Sequence, residues 1–260
     1  MTSTEPGRRK YDALAERYEE IFFYVADVGR QLVDLAAPRP GDRVLDVGSG
    51  RGAVARAALA RGCAVTAVDA SAGMVERLRV DYPAMTVRQL DAGRLDLPDG
   101  SFDLVTAGFV VQVLDDPAAA LVEFHRVLAP SGTVALSLER QTVGRLKWLH
   151  DLNAEFFGEG RGGGPGPMTA DQLDTLLTVA GFDQLTRTEV DIPKSVPDPA
   201  ALWAWLELQG IQQVLDALPA DRATAFREAF FAGAQRMHDD GGIELEFGAT
   251  LHRAVSGPPA

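Results

Sequence analysis

The chain lacks the features that identify a secreted, disulfide-bonded or membrane-spanning protein. It has a single cysteine, Cys63, so no internal disulfide can form, as is typical of a reducing compartment. Its apolar runs are short and interrupted by charge, which excludes a transmembrane helix. The basic cluster Arg8–Lys10 has no apolar run behind it, so no secretory signal is expected. These absences predict a cytoplasmic location and no membrane partner.

Basic residues are also fewer than acidic ones. The chain has 25 lysine and arginine residues against 37 aspartate and glutamate residues, which gives a formal net charge of −12 at pH 7. A protein that neutralises several nucleic-acid phosphates usually presents a basic face. We therefore expect no nucleic-acid partner and a small, neutral or cationic substrate.

The 260 residues do contain a regular alternation of short apolar runs and helical stretches. Apolar residues at helical spacing predict a first helix from Tyr11 to about Ala37. Continuous apolar strands separated by helices are typical of a parallel sheet covered on both faces. The predicted fold class is therefore α/β, a doubly wound, mostly parallel seven-stranded sheet with its ligand site beyond the carboxyl ends of the strands. The predicted strands are Arg43–Val47, Ala64–Val68, Thr86–Leu90, Phe102–Ala107, Thr133–Leu138, Gln184–Asp191 and Ile243–Ala254, and the helices among the first five are Ala53–Arg61, Gly73–Asp81 and Pro117–Leu128.

The composition changes after Leu138. Residues 156–167 are a glycine-rich loop, which could be a mobile lid or a linker. Thr169 and Gln172 then predict the N-terminus of a helix. A helical stretch from Pro199 to about His238 carries several tryptophans and phenylalanines and is predicted to be a cap inserted before the last strand. The predicted organisation is an N-terminal helical lid (1–40), an α/β core for the cofactor (41–192), a helical cap (193–242) and a last strand with tail (243–260).

A glycine-rich segment follows the first predicted strand and opens a helix. Gly48, Gly50 and Gly52 allow a tight turn and a close approach of a ligand to the backbone, and the helix N-terminus offers free N–H donors. The spacing G-x-G-x-G differs from the G-x-G-x-x-G of dinucleotide oxidoreductases. Asp46, two residues earlier, disfavours a pyrophosphate and suits an ammonium group. The alternative is a tight turn that holds no ligand.

Two further acidic residues follow the next two strands. Asp69, at the tip of the second predicted strand, can accept hydrogen bonds from both hydroxyls of a ribose. Taken alone, Asp69 could equally be a cap for the following helix. Asp91 can accept a hydrogen bond from an adenine amino group, and the backbone N–H of Ala92 can reach a ring nitrogen. The alternative for Asp91 is an ordinary loop-initiating residue.

Together these segments resemble the class I S-adenosylmethionine-dependent methyltransferase superfamily, and most closely its small-molecule branch of ubiquinone/menaquinone-type and natural-product enzymes. The resemblance is closest over residues 43–138, with Val44–Gly52 and Arg126–Gly132 among its motifs, and is looser over 169–182. It implies a Rossmann-like methyltransferase fold, S-adenosylmethionine as cofactor and S-adenosylhomocysteine as product.

The resemblance implies methyl transfer to O, N or C of a small, hydrophobic or aromatic molecule, as in secondary metabolism. One alternative is a non-methylating reaction on the same fold, such as cyclisation or decarboxylation. Another is a cofactor-binding partner without catalysis. A dinucleotide oxidoreductase is disfavoured by the glycine spacing. The chain is expected to be a monomer or a homodimer.

The resemblance also assigns positions around the cofactor. Gly48 and Gly50 would line its methionine portion, and Asp69 would bind the ribose hydroxyls. Met74 would pack on the adenine, or is a core residue. The expected cofactor contacts are Asp46, Gly48, Ser49, Gly50, Asp69, Ala70, Met74, Asp91, Ala92 and Phe109.

A sulfonium makes its methyl group electrophilic, so the enzyme chiefly has to align the acceptor and exclude water. A hydroxyl acceptor benefits from a base, and the candidates are His150 and Glu139, after the fifth strand. Gln112 stands where relatives often have a histidine, and it cannot act as a base at neutral pH. No metal site is expected, because the acidic pair Asp115–Asp116 precedes a proline and is typical of a helix N-cap. The expected substrate contacts are Tyr11, Tyr18, Gln112, Trp148 and Trp203, of which the tyrosines are alternatively core residues.

Overall fold

The computed structural model of the chain describes residues 11–12, 14–140, 144–158 and 168–257. These residues form one seven-stranded sheet with flanking helices. The strands are β1 (Arg43–Val47), β2 (Ala64–Asp69), β3 (Thr86–Gln89), β4 (Phe102–Gly108), β5 (Leu128–Arg140), β6 (Phe182–Val196) and β7 (Ile243–Ser256). The helices are α1 (Tyr18–Ile21), α2 (Val25–Ala36), α3 (Ala53–Ala60), α4 (Ala72–Asp81), α5 (Pro117–Val127), α6 (Lys147–Phe157), α7 (Ala170–Val179), α8 (Pro199–Leu208), α9 (Ile211–Leu215) and α10 (Ala220–Asp239).

The strand order β3-β2-β1-β4-β5-β7-β6 confirms the predicted doubly wound sheet. Strand β1 pairs in parallel with β2 and β4, β2 with β3, and β4 with β5. The chain reverses its direction of travel across the sheet between β1 and β4. In such folds this switch point leaves a crevice outside the carboxyl ends of the strands. The crevice therefore lies next to the glycine segment that follows β1.

The central strands are apolar along most of their length because helices cover both faces of the sheet. Leu45 of β1, Val105 of β4 and Leu136 of β5 are fully buried. Gly29 of α2 permits a close approach of α3, since a Cβ at Gly29 would lie 2.9 Å from the backbone carbonyl of Ala53. This packing fixes the first residue of α3 directly after the glycine segment.

The structure differs from the predicted elements mainly at their ends. The single helix predicted from Tyr11 to about Ala37 is wrong, because the chain turns between α1 and α2 around Phe22–Tyr24. The break leaves the Tyr24 ring 5.7 Å from that of Phe109, which follows β4, so tertiary packing overrides the helical pattern. Strands β5, β6 and β7 are longer than predicted. The N-cap predicted at Thr169 is confirmed as a capping box with Gln172.

The described residues group into two compact units. The first contains those up to Glu139, those from 168 to Val190, and those from Ala249 to 257. The second contains Arg140, residues 144–158 and Asp191–Gly248. The sequence placed Arg140 and residues 144–158 in the core, whereas here they group with the helical cap. Helix α6 packs on α10 there, and α10 also contacts α8.

Part of the predicted glycine-rich loop, residues 159–167, lies outside the described residues. Among the helices that the structure describes, none is both long and apolar enough to cross a membrane.

Candidate cofactor and active site

The glycine segment forms the turn between β1 and α3. Gly48, Gly50 and Gly52 have positive φ angles of 64°, 54° and 83°. A Cβ at Gly48 would lie 2.4 Å from the side chain of Val110, so close packing requires glycine there. A Cβ at Gly50 would meet nothing closer than the Tyr18 ring at 3.9 Å. Gly50 therefore leaves free space in front of the turn, where a ligand can approach the backbone.

Asp46 supports this turn from inside the protein. Its carboxylate is 1% exposed and accepts hydrogen bonds from the Thr106 hydroxyl at 2.8 Å and the Ala55 N–H at 3.1 Å. The Ser49 hydroxyl donates to the Asp46 carbonyl at 2.7 Å. Burial raises the pKa of Asp46 to about 7, although these hydrogen bonds oppose the shift. The expected contact between Asp46 and an ammonium group stays a prediction.

Asp69 ends β2 and faces the same crevice. Its two carboxylate oxygens accept hydrogen bonds from the backbone N–H groups of Gly50 and Ser71, each at 2.8 Å. Burial raises the pKa of this carboxyl, and the N–H donors oppose the shift. Because each carboxylate oxygen has a second lone pair, Asp69 can still accept hydrogen bonds from a bound ligand.

A first cavity of about 830 Å³, partly open to solvent, lies over these residues. That volume is in the range of small-molecule sites. Seven of the expected cofactor contacts line it, namely Gly48, Gly50, Asp69, Ala70, Met74, Ala92 and Phe109, and so do Tyr11 and Tyr18. Met74 is also 1% exposed, so it is a core residue whose side chain borders the cavity.

Asp91 does not line this cavity. Its carboxylate accepts a hydrogen bond from the Gly93 N–H at 3.0 Å, as a loop-initiating aspartate does. Ala92, directly after it, does border the cavity. Asp91 is therefore not placed at the cavity wall, and its predicted contact with an adenine amino group stays a prediction.

A second cavity of about 480 Å³ lies on the other side of the glycine turn. Asp46 and Ser49 line it, together with Ala53 and Val54 at the start of α3. Arg51 also borders it, and its Nε is buried without a hydrogen-bond partner. The residues that line both cavities are Tyr18, Gly48, Gly50 and Gly108.

One wall of the site is a row of aromatic rings, which we call the aromatic row: Tyr11, Tyr18, Phe22, Tyr24 and Phe109. Their successive ring centroids are 6.5, 4.8, 6.4 and 5.7 Å apart. The backbone of Phe109 is strained, with a φ of 60°. Its N–H donates to the carbonyl and to the hydroxyl of Ser137, at 3.1 and 3.0 Å.

Glu139 contacts the aromatic row at Tyr24. The Tyr24 hydroxyl donates to its Oε1 at 3.4 Å, and its backbone N–H donates to Oε1 of Gln112 at 2.7 Å. Burial raises the pKa values of Tyr11, Tyr18 and Tyr24, and the Glu139 carboxylate raises all three further. The tyrosines therefore remain neutral hydroxyl donors at neutral pH.

Polar contacts hold the described residues of the segment 12–19 against the glycine turn and the helices α3 and α4. The Asp12 carboxylate accepts hydrogen bonds from the Ser71 hydroxyl and from the Gly73 N–H, at the start of α4. Arg51 donates to the Ala15 carbonyl at 2.8 Å. Two ion pairs, Arg56–Glu19 and Arg77–Glu16, add to these contacts.

Three predicted residues lie in the second unit and line neither cavity. Trp148 packs on Phe230 with ring centroids 5.7 Å apart. Trp203 is 7% exposed, and its Nε1 donates to Glu207 at 2.7 Å. Both tryptophans thus belong to the packed interior of that unit. His150 is exposed on α6.

The sequence prediction missed Tyr24, Arg51, Gly108 and Val110. Tyr24 could not be assigned to the site because a continuous helix would turn it away from Tyr18. The described residues contain no group of three or more histidine, cysteine, aspartate or glutamate side chains that could hold a metal ion.

The chain is similar to known methyltransferases. Residues 45–136 match the family described as "Methyltransferase domain". The chain is 29% identical over 245 residues to nocamycin O-methyltransferase of Saccharothrix syringae, covering 83% of this chain and 86% of that protein. It is 32% identical over 149 residues to malonyl-[acyl-carrier protein] O-methyltransferase of Serratia marcescens, covering 57% and 58%. It is 32% identical over 137 residues to aklanonic acid methyltransferase of a Streptomyces species, covering 49% and 62%. The chain thus spans most of the first relative but under two thirds of the other two.

Solved structures show the same fold. The YcgJ protein of Bacillus subtilis has a TM-score of 0.59 at 20% identity, covering 90% of this chain and 100% of that one. A phosphoethanolamine N-methyltransferase of Haemonchus contortus, solved with S-adenosylhomocysteine, has a TM-score of 0.56 at 20% identity, covering 95% of this chain and 58% of that one.

Proposed function

We propose that this chain is a class I S-adenosylmethionine-dependent methyltransferase and that it transfers a methyl group from that cofactor to an oxygen of a small, hydrophobic molecule. Oxygen is preferred over nitrogen and carbon because several relatives are named O-methyltransferases. Two are named for nocamycin and aklanonic acid, which supports an acceptor from secondary metabolism. The low cysteine content supports a cytoplasmic site of action.

The single observation that carries the proposal is the pair of cavities that meet at the glycine turn. The first cavity suits the adenosine portion, since Asp69 offers free lone pairs there and Met74, Leu90 and Ala92 offer apolar surface. The second suits the methionine portion, with Gly50 leaving the approach to the backbone open. The unpartnered Nε of Arg51 is a donor of the kind that a carboxylate would satisfy.

The bound cofactor supplies an electrophilic methyl group, and the residues of the chain provide the remaining functions. The rings of Tyr11, Tyr18 and Phe109 border the first cavity and limit the access of water to it. A carboxylate oxygen of Glu139 takes the proton of the acceptor hydroxyl. Tyr24 holds that carboxylate by its hydroxyl, and Gln112 holds the backbone of the same residue.

The proposal is tested with the full chain, S-adenosylmethionine and a panel of hydroxylated aromatic probes that includes 1- and 2-naphthol. Mass spectrometry would follow S-adenosylhomocysteine and the methyl ether of each probe together. We expect the two products in equal amounts for at least one probe. Their formation should fall sharply in an Asp69→Asn variant, which loses one acceptor oxygen toward the cofactor.

The opposite result would be a converted probe that carries no added methyl group and forms without S-adenosylhomocysteine. That outcome would favour a non-methylating reaction, such as cyclisation or decarboxylation.

A further inference from the structure

The two cavities meet at the four residues that line both, Tyr18, Gly48, Gly50 and Gly108. In S-adenosylmethionine the sulfur joins the methionine portion to the ribose. If the two portions occupy the two cavities, the sulfur lies at this junction. Among the described residues that line both cavities, only Tyr18 has a side chain larger than a hydrogen atom, so its ring borders the proposed position of the sulfonium.

The surroundings of the junction are acidic and aromatic. The carboxylates of Asp69 and Glu139 both act on the Tyr18 hydroxyl, whose pKa they raise together with burial and the Tyr11 hydroxyl. Among the described residues that line the two cavities, Arg51 is the only basic one. Its terminal nitrogens are bound to the Ala15 carbonyl and to Asp81. A positive charge at the junction is therefore favoured by the carboxylates and by the tyrosine rings.

Glu139 is fixed in this arrangement without being neutralised. It accepts from the Tyr24 hydroxyl at 3.4 Å, and its backbone is bound to Gln112. Tyr24 in turn contacts Phe109, which borders the first cavity. Glu139 is exposed and forms no salt bridge with any residue that the structure describes. Glu139 itself lines neither cavity, but its carboxylate acts on the hydroxyls of Tyr11 and Tyr18, which line the first cavity.

We propose that Glu139, fixed on the aromatic row, makes the cofactor site selective for charge, so that it favours the sulfonium of S-adenosylmethionine over the uncharged thioether of S-adenosylhomocysteine. This selectivity assists release of the product, because the product has lost the charge that the carboxylate stabilises. The proposal rests on the proposed function, since it takes these two molecules as cofactor and product. This role of Glu139 concerns the binding of the cofactor and needs no acceptor molecule to be present, and it is separate from the role of Glu139 as a base.

The test is isothermal titration calorimetry of the full chain with S-adenosylmethionine and with S-adenosylhomocysteine, in the wild type and in Glu139→Gln. We expect the variant to bind S-adenosylmethionine about fivefold more weakly, an effect typical of a partly screened charge interaction. Its affinity for S-adenosylhomocysteine should change less than about twofold. Glu76→Gln is the matched control, since Glu76 is also an exposed glutamate, on α4, but is not among the carboxylates that act on Tyr11, Tyr18 or Tyr24.

A second variant tests the ring at the junction. Tyr18→Leu should weaken S-adenosylmethionine binding more than S-adenosylhomocysteine binding, whereas Tyr18→Phe, which keeps the ring, should retain most of the preference. Circular dichroism spectra and melting curves would establish that each variant is folded.

The proposal is overturned if Glu139→Gln changes the affinity for both molecules equally, or for neither. Failure of the wild type to bind either molecule would instead overturn the proposed function itself. The two failures are therefore distinguishable in the same titrations.

Discussion

At the scale of the residue, Gly48 and Gly50 need to be glycine for different reasons. Both have left-handed backbone angles, but only Gly48 is packed directly against a side chain, that of Val110. Gly50 faces the space where the two cavities meet. The sequence predicted the turn from the glycine spacing alone, but it could not distinguish a packing requirement from a binding requirement. That distinction depends on Val110 and Tyr18, which are distant in the chain.

A Gly50→Ala variant should therefore bind S-adenosylhomocysteine at least about tenfold more weakly, because its methyl group occupies the approach to the turn. It should also lose roughly 1–2 kcal/mol of unfolding free energy through its positive φ. Gly100→Ala is the control, since Gly100 has a φ of 62° with nothing within 4 Å of its would-be Cβ. Calorimetry and urea unfolding would compare the two. Equal loss of affinity in both variants would contradict this role for Gly50.

His252 illustrates a buried titratable residue outside the site. It is fully buried, its Nδ1 lies 2.8 Å from Asp174, and its Nε2 has no partner. Burial lowers its pKa, against the opposing effect of Asp174. Below about pH 6.5, His252 is therefore protonated more readily in the unfolded chain than in the folded chain, which favours unfolding. Its stabilising contribution is complete above that pH and is lost as the pH falls towards the lowered pKa.

The raised pKa of Asp46 has the opposite effect on stability, since the contribution of Asp46 to stability is lost as the pH rises towards about 7. The effect of His252 must therefore be measured as a difference. Urea unfolding at pH 7.5 and at pH 5.5 should show that the wild type loses more stability on acidification than a His252→Gln variant. Equal losses in the two proteins would show that His252 does not resist protonation.

At the scale of the element, the segment from Tyr11 to Tyr24 shows where sequence periodicity is insufficient. Its apolar spacing suits one continuous helix, but the chain breaks between α1 and α2. The break allows Tyr18 and Tyr24 to contribute to the same aromatic row. The elements of the α/β core were predicted within a few residues, because their strands are buried runs bounded by glycine, proline and aspartate. The first segment depends on polar contacts with α3 and α4 that its own sequence does not reveal.

Those contacts predict that the segment controls access to the cofactor. Asp12→Ala removes the acceptor of the Ser71 hydroxyl and the Gly73 N–H. We expect faster dissociation of S-adenosylhomocysteine by several-fold, measured by stopped-flow fluorescence. Asp27→Ala is the control, because Asp27 forms only an exposed ion pair with Arg30 of the same helix among the described residues. Identical dissociation rates in wild type and Asp12→Ala would contradict this role.

Helix α10 gives a second prediction at this scale. A Cβ at Gly233 would lie 2.4 Å from the Trp148 ring. Replacing a helical glycine with alanine normally stabilises a protein by about 0.5–1 kcal/mol. Here overpacking should reverse the sign, and Gly233→Ala should lose about 1–3 kcal/mol in urea unfolding. A stabilised variant would mean that Trp148 is not packed against α10 as the structure shows.

At the scale of the whole molecule, the fold and the cofactor could be predicted from the sequence because the glycine turn and the tip of β2 are both formed by short, local motifs. The predicted contacts of Trp148 and Trp203 with substrate stay predictions. Those aromatics form the interior of the second unit, which a pattern of aromatic residues cannot distinguish from a binding surface. The acidic net charge of −12 is consistent with the cavities, where Arg51 is the one basic residue among those described.

The central claim is that the crevice between β1 and β4 binds S-adenosylmethionine through the glycine turn and Asp69. Calorimetric titration of the full chain with S-adenosylhomocysteine, with NAD as a competing candidate, tests it most directly. The structure predicts one binding site for S-adenosylhomocysteine, no heat with NAD, and an affinity at least about tenfold weaker in Asp69→Asn. Binding of NAD instead, or an affinity that Asp69→Asn leaves unchanged, would contradict the claim.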